Sequence, residues 1–442
     1  MRQKFEKHIK SNSLFLKTDK LLVTISGGRD SMLMLYLLAS GGYNISVAHC
    51  NFQLRGDESE GDEEFVKKYC EKYNVPFFFK RFNTKAYSKL NKFSTQEAAR
   101  KLRYDWFEQL HKDYKFKYIL TAHHKDDNLE TILYNLVKGS KLRGYGGIRA
   151  ANEKLVRPML CYTREDIDLI CKKLSLSWRE DTSNISNDYS RNFLRNEVIP
   201  LLKKINPNIE ETVYDNSRAT QRYIGFIDAS LSKIEKKCIV KKKEYLYIYI
   251  DKLLKNSVDE VLLWEILKKY GFNYTTSKNI FLSLKSQPGK IWETGSHQIL
   301  KDRDCLILRE KMERKLLTYK ITEKQIGSFR QIVGDREIQI QKGSKSILIR
   351  NEGISIAKQK LSYPITLRHW KPADKILLKG MTGAKKVSDL LTDFKFNLFE
   401  KEQIFVIQNG DGELVSVDFL KVSEKFLAKE NTANNLIIST VK

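Results

Sequence analysis

The sequence predicts an α/β chain: an N-terminal doubly wound parallel sheet, a mainly helical middle part and a β-rich (α+β) C-terminal part. Three observations predict it. Over the first 150 residues, short apolar runs alternate with helical patterns, the mark of a parallel sheet covered by helices. Residues 216–315 are lysine-rich and helical in pattern, apart from one β-like run at 245–250. From residue 316 onward short alternating runs dominate, at 337–341, 346–350 and 403–408. Pro200 and Pro207 suggest that the first part closes near residue 215, so the expected domains are 1–215, 216–315 and 316–442.

In chain order, residues 21–25 read as the first strand and 31–38 as a buried helix. Residues 45–50 form the second strand, and 58–73 an amphipathic helix with Phe65, Val66 and Tyr69 on one face. A third strand at 76–82 precedes a helix at 94–110, which opens on a capping box of Ser94 and Glu97. The fourth strand is 118–122, followed by helices at 126–137, 163–174 and 192–204. Ligands of such sheets bind at the carboxyl ends of the strands. The chemistry is therefore expected where the first strand meets Ser26, the second meets His49 and the fourth meets His123.

Composition narrows the function. The chain of 442 residues carries 79 Lys and Arg against 54 Asp and Glu, a net charge of +25. Such an excess lies on the surface and concentrates polyanions there, so nucleic acid or an anionic membrane are candidate partners beside a merely basic enzyme. A hydrophobic content of 41% excludes wholesale disorder. No apolar run approaches the roughly 20 residues that span a bilayer. The charged first 20 residues carry no signal-peptide pattern, so a cytoplasmic protein without a membrane partner is expected. Cys50, Cys70, Cys161, Cys171, Cys238 and Cys305 contain no C-x-x-C pair, which fits reduced structural thiols better than disulfides, a zinc ribbon or a cluster.

The turn Ser26-Gly27-Gly28-Arg29-Asp30-Ser31 follows a strand and opens a helix. Its glycines let the backbone approach a phosphate, the helix N-terminus supplies free N–H groups, and the two serine hydroxyls add donors. Asp30 can cap the helix or, with a metal, face the phosphates. Glu97, Arg100 and Tyr104 share one helix face, with Arg103 at its edge. In His123-His124-Lys125-Asp126-Asp127-Asn128-Leu129-Glu130, two histidines and three carboxylates follow a strand. A transition metal, Mg²⁺ shared with substrate phosphates, and capture of an amine are the readings; adjacent histidines rarely both reach one ion, which disfavours the first. Asp127 and Glu130, at i and i+3, can clasp a cation such as a lysine ammonium. Residues 139–149 form a basic, glycine-rich loop suited to a phosphate backbone or a splayed base.

The glycine turn resembles the SGGxDS loop of the ATP-pyrophosphatase family, which releases pyrophosphate and adenylates an acceptor; no Walker A motif is present. The other motifs resemble those of the tRNA(Ile)-lysidine synthetase family. These are His49 to Arg55 with Gly56-Asp57-Glu58-Ser59, E-x-x-R-x-x-R-Y from Glu97, the HHxDDxxET run from His123, and the glycine-rich loop. Arg157-Pro158-Met159-Leu160, the stretch from Trp178-Arg179-Glu180-Asp181 to Asn184, and Arg191-Asn192-Phe193-Leu194-Arg195 follow in order and are the most discriminating. Arg368, Lys385 and Lys386 lie in stretches similar to that family's C-terminal domain. The chain departs from the family at Phe52-Gln53, at Trp370, at Ala373 and at Glu400-Lys401-Glu402.

The resemblance implies ATP and Mg²⁺ as cofactors, with free L-lysine and a CAU-anticodon tRNA(Ile) as partners, and leaves room for a homodimer. It implies a two-step reaction. The wobble cytidine C2 oxygen attacks the ATP α-phosphate, pyrophosphate leaves, and the lysine amine then displaces AMP at C2. Ser26, Gly27, Gly28, Arg29, Asp30, Ser31 and His49 are the expected ATP contacts, and Asp30 and Asp126 the expected metal ligands. Asp30, Arg100, Asp127 and Glu130 are the expected catalytic residues, with Asp127 and Glu130 holding lysine. Arg143, Arg191, Arg195, Arg368, Lys385 and Lys386 are the expected tRNA contacts. A tRNA thiolase or another adenylating synthetase on the same scaffold is the alternative.

Overall fold

Leu21, Leu22 and Val23 are fully buried, which is what a continuous apolar run demands of a strand covered on both faces. They belong to β1 (Leu21–Thr24), at the middle of the first sheet of the computed structural model. That model describes residues 2–179, 190–311, 318–333, 336–343, 353–428 and 435–440. Parallel partners flank β1: β2 (Ile45–Asn51) on one side and β4 (Tyr118–Leu120) on the other. β3 (Phe77–Arg81) pairs parallel outside β2. A short antiparallel pair, β5 (Ala151–Asn152) and β6 (Leu155–Val156), extends the sheet beyond β4, giving the order β3-β2-β1-β4-β6-β5.

The helices before, between and after these strands are α1 (Arg2–Ser11), α2 (Arg29–Ser40), α3 (Asp57–Lys72), α4 (Thr84–Asn91), α5 (Thr95–Asp113), α6 (Lys125–Val137), α7 (Leu142–Tyr145) and α8 (Arg164–Lys173). α5 starts on the expected capping box: the Ser94 hydroxyl accepts from the Glu97 N–H at 3.2 Å, and the Glu97 carboxylate accepts from the Ser94 N–H at 2.9 Å. α2 buries Met32, Leu33, Met34, Leu35, Leu37 and Leu38 against the sheet, each burial contributing roughly 1.5–3 kcal/mol. The expected helix at 192–204 is observed as α9 (Ser190–Phe193), a π-helical turn at Leu194–Val198, and α10 (Ile199–Ile205). α11 (Ile209–Cys238) runs through residues 215 and 216.

Contacts divide the chain into two compact units, Met1–Ala229 and Ser230–Lys442. The second unit opens with an antiparallel sheet of Ile239–Lys242, Tyr245–Tyr249, Cys305–Glu310, His297–Lys301 and Ile291–Glu293, in that spatial order. Three helices, Ile250–Lys255, Glu260–Leu267 and Tyr274–Leu282, lie between its strands in sequence. Next come a five-stranded antiparallel sheet containing Ile365–His369 and Phe405–Gln408, and a four-stranded one containing Arg336–Gly343 and Asn435–Thr440. Ile338, Ile356, Leu367, Phe405 and Ile438 share one core. The strand expected at 346–350 lies outside the described residues.

Candidate functional site

At the carboxyl end of β1 the chain turns through Gly27, at φ +93°, into α2. That left-handed value favours glycine, and a Cβ here would meet Val66 Cγ2 at 3.6 Å. The turn is held by its own hydroxyls. Ser31 Oγ donates to the Gly28 carbonyl at 2.8 Å and accepts from the Ser26 N–H at 3.3 Å, while the Gly28 N–H donates to Ser26 Oγ at 3.3 Å. Four of the expected ATP contacts thus form one hydrogen-bonded loop at a helix N-terminus, an anion cradle by construction. Arg29 differs: its side chain pairs with Asp168 and stacks 6.0 Å from the Trp178 ring, so it ties the loop to α8 instead of facing the cradle. His49, at the end of β2, is buried; its Nδ1 donates to the Ile25 carbonyl at 2.9 Å and its Nε2 has no hydrogen-bond partner.

The second cluster stands at the end of β4, the neighbour of β1. His124 is 3% exposed and lies amid three carboxylates. Its Nε2 is 3.6 Å from Asp30 Oδ2 and 3.6 Å from Asp127 Oδ2, and its Nδ1 is 3.3 Å from Asp126 Oδ2. Burial alone would lower the pKa of this imidazole, but Asp127, Asp126 and Asp30 hold it well above the ordinary value. Asp30 is raised by burial and lowered further by His124, ending below the usual range. His123 goes the other way: burial drives it down to about 4, against the pull of Asp127, and its Nδ1 hydrogen-bonds Thr121 Oγ1 at 2.8 Å. Two adjacent histidines therefore hold opposite protonation states.

The expected metal ligands separate. Asp126 Oδ2 accepts from the Arg164 N–H at 2.8 Å, starting α8, and faces His124. One oxygen of that carboxylate is thus engaged by a helix N-terminus and a histidine. Asp30 Oδ1 is buried without a hydrogen-bond partner, so Asp30 fits a cation shared with phosphates. Among the described residues no group of three or more His, Cys, Asp or Glu side chains is arranged around an ion.

Asp127 and Glu130 do converge, and Arg195 joins them: its Nε donates to Glu130 Oε1 at 2.5 Å and its Nη2 to Oε2 at 3.0 Å, with Asp127 Oδ1 at 3.7 Å. Burial raises the Glu130 carboxyl even though Arg195 opposes it. Arg195 is thus turned into the site, where the sequence suggested a tRNA contact. Arg100 is exposed and lies 4.9 Å over the Tyr104 ring; Arg191 is exposed over Tyr134 at 5.5 Å. Arg143 pairs with Asp228 of α11. The glycine-rich loop is pinned, not loose: the Ile148 N–H donates to Asn128 Oδ1 at 2.7 Å and Gln221 Nε2 to the Gly146 carbonyl at 2.5 Å.

In the second unit, Arg368 is 7% exposed and its guanidinium is consumed by Asp374, at 2.8 Å twice, by Gln408 Oε1 at 3.0 Å and by the His369 carbonyl at 3.0 Å. It builds the loop and presents no charge outward, a correction. Lys385 pairs with Asp393, whereas Lys386 is exposed. Trp370, the departure from the expected arginine, donates from its indole to the Lys401 carbonyl at 2.6 Å and packs on the adjoining core. Residues 180–184 and Tyr189 of the discriminating motifs lie outside the described residues.

Sequence reasoning brought the His123-His124 pair to the site without deciding which ring acts there, and it did not single out Asn128. The doubled histidine was visible, but which ring faces the carboxylates depends on the turn from β4 into α6. Asn128, fully buried, gave no sign beyond its place between Asp127 and Glu130.

Residues 1–202 match the family model described as PP-loop domain, and residues 241–311 that described as TilS substrate binding domain. The chain is 35% identical over 439 residues to the tRNA(Ile)-lysidine synthase of Parabacteroides distasonis, covering 98% of each. It is 35% identical over 413 residues to that of Bacteroides thetaiotaomicron, covering 93% of each, and 28% identical to that of Bacillus subtilis, covering 94% of this chain and 92% of the relative. Among solved structures, a TILS C-terminal domain aligns with 28% of this chain and 96% of its own, at 17% identity and TM-score 0.25. The U34-tRNA thiolase NcsA of Methanococcus maripaludis aligns with 51% of this chain and 77% of its own, at 19% identity and TM-score 0.42.

Proposed function

The chain belongs to the tRNA(Ile)-lysidine synthase family, and on that premise we propose how its residues divide the work. It is an ATP-using ligase that forms a C–N bond on tRNA(Ile), joining lysine to the wobble cytidine through an adenylated C2 intermediate. The observation that carries the assignment to this site is the meeting of Asp30 and His124, 3.6 Å apart, which joins the glycine turn to the HHxDD turn at the ends of adjacent strands.

ATP phosphates lie on the backbone N–H groups and hydroxyls of Ser26 to Ser31. Asp30 would hold a Mg²⁺ ion, which would supply positive charge against the departing pyrophosphate. The cytidine C2 oxygen attacks the α-phosphorus and the pyrophosphate oxygen leaves with the bonding pair. Arg100, whose charge reaches His123, is the cation we assign to the charge that develops on the phosphoryl oxygens. Asp127 and Glu130 then hold the lysine, one of these carboxylates takes a proton from its ammonium, and the free amine attacks C2 as AMP departs. Arg195 holds these carboxylates until lysine shares them. Most of the acceleration is positioning.

The buried thiols support this reading over a thiolase. Burial pushes Cys50, Cys70 and Cys161 up to about 12, and all six cysteines are free. The two matched segments support a catalytic part, 1–215, followed by a tRNA-binding part, 216–315; the remainder, 316–442, is the proposed C-terminal part. Arg191 and Lys386, both exposed, are the tRNA contacts we favour. We also propose a homodimer, supported by the exposed apolar side chains Leu201, Ile205, Tyr223 and Phe226 of α10 and α11, and a cytoplasmic location. Among the described residues no helix is long and apolar enough to cross a membrane. Incorporation of radiolabelled lysine into a CAU-anticodon tRNA transcript tests the function; no ATP-dependent incorporation would refute it.

A further inference from the structure

The acidic start of α3 has no place in the reaction above, yet it touches the glycine turn. Asp62 has a side chain only 13% exposed and receives two arginines. Arg55, after β2, donates from Nη2 to Asp62 Oδ2 at 2.9 Å. Arg179, far along the chain, donates from Nε to Asp62 Oδ1. The guanidinium of Arg179 covers Gly61 so closely that a Cβ there would lie 3.0 Å from Nη2.

The same Arg179 reaches the cradle through its backbone. Its N–H donates to the Gly27 carbonyl at 3.0 Å. In a trans peptide the carbonyl and the next N–H point in opposite directions. Fixing the Gly27 carbonyl on Arg179 therefore fixes the Gly28 N–H on the other side, where it meets Ser26 Oγ within the turn. Gly27, at φ +93°, belongs to the residue type with the least intrinsic preference for one peptide orientation. An external restraint is what selects it.

We propose that Asp62 is a positioning residue for the ATP-binding turn. It anchors Arg179, Arg179 orients the Gly27–Gly28 peptide, and that peptide holds Ser26 Oγ, and with it the turn, in the shape that receives the phosphates. Arg55 is the second load on the same carboxylate and keeps Asp62 aimed. The inference rests on the reading of Ser26 to Ser31 as the ATP site, and it adds a residue that contacts no substrate.

The test is steady-state lysine incorporation by Asp62→Asn, Asp62→Glu and Arg179→Lys in the full chain, with ATP, lysine and tRNA each varied. Asp62→Asn is expected to raise KM for ATP about tenfold, leaving KM for lysine and for tRNA within twofold. Asp62→Glu is expected to recover part of the loss, and Arg179→Lys to resemble Asp62→Asn. An unchanged KM for ATP in a folded Asp62→Asn protein overturns the proposal. So does an equal rise in all three KM values. If Asp62→Asn does not fold, Arg179→Lys decides by the same criterion. Failure of the wild-type protein to consume ATP would instead overturn the site assignment.

Discussion

Arg195 closes a two-pronged hydrogen bond on Glu130, at 2.5 and 3.0 Å, inside the site. Glu130 is 6% exposed, so its charge depends on a cation being present. Arg195 supplies that cation in the free protein, and in the proposed reaction a lysine ammonium would satisfy the same need.

Glu130→Gln keeps the shape and removes the charge. It is expected to raise KM for lysine at least about tenfold, or roughly 1.4 kcal/mol of binding, with KM for ATP unchanged. Lysine titrations at saturating ATP check this; a parallel rise in both constants would place Glu130 elsewhere. Arg195→Ala strands a buried carboxylate and is expected to lower stability by about 3–5 kcal/mol.

Gly147 sits at φ +57°, and a Cβ there would come within 2.1 Å of Asn128 Oδ1. Asn128 cannot yield easily, because the same oxygen accepts the Ile148 N–H and its Nδ2 donates to Ser217 Oγ at 3.3 Å. Gly147→Ala is expected to cost about 1–3 kcal/mol and to detach the loop from α6. Thermal unfolding measures the first. Protease cleavage within 139–149 measures the second; an unchanged cleavage pattern would mean that Asn128 does not pin the loop.

Arg368 and Lys386 look equivalent in sequence and are opposite in structure. Arg368→Ala is expected to destabilise the second unit by about 3–5 kcal/mol without altering the salt dependence of tRNA binding. Lys386→Ala is expected to leave stability alone and to reduce the slope of log K against log salt by roughly 1. Filter binding at several salt concentrations separates the two; a slope change from Arg368→Ala alone would reverse the assignment.

That contrast shows where reading the sequence stops. The parallel sheet was legible because β1, β2 and β4 are short apolar runs and Ser94 with Glu97 is a local cap. The glycine turn was legible because its chemistry is contiguous. Side-chain direction was not. Whether Arg195 faces tRNA or Glu130, or Asp126 a metal or the Arg164 N–H, is set by contacts 65 and 38 residues apart. In the segment 239–310 only 245–250 was read as β; three of the other strands of its sheet are short or interleave lysine and polar residues among apolar ones, and the fourth, Cys305–Glu310, opens on an apolar run that was passed over.

His8 gives the fold a pH dependence outside the site. It lies on the buried face of α1, 8% exposed, and burial, aided by Arg218 and Lys125, lowers it from 6.5 to about 4. Its Nδ1 lies 3.2 Å from the Asn12 amide nitrogen, a contact suited to the neutral ring. The folded protein therefore resists the proton that the unfolded chain accepts. Stability is intact above pH 6.5 and falls as the pH is lowered towards 4, where the unfolded state binds more protons than the folded one. From that shift, His8 is expected to account for about 2 kcal/mol of lost stability at pH 5, rising to about 3 below pH 4. Urea unfolding of wild type and His8→Gln at pH 7.5 and pH 5 checks it. The gap between the two proteins should close by about that amount on acidification, and a gap independent of pH would show that the folded protein admits the proton freely.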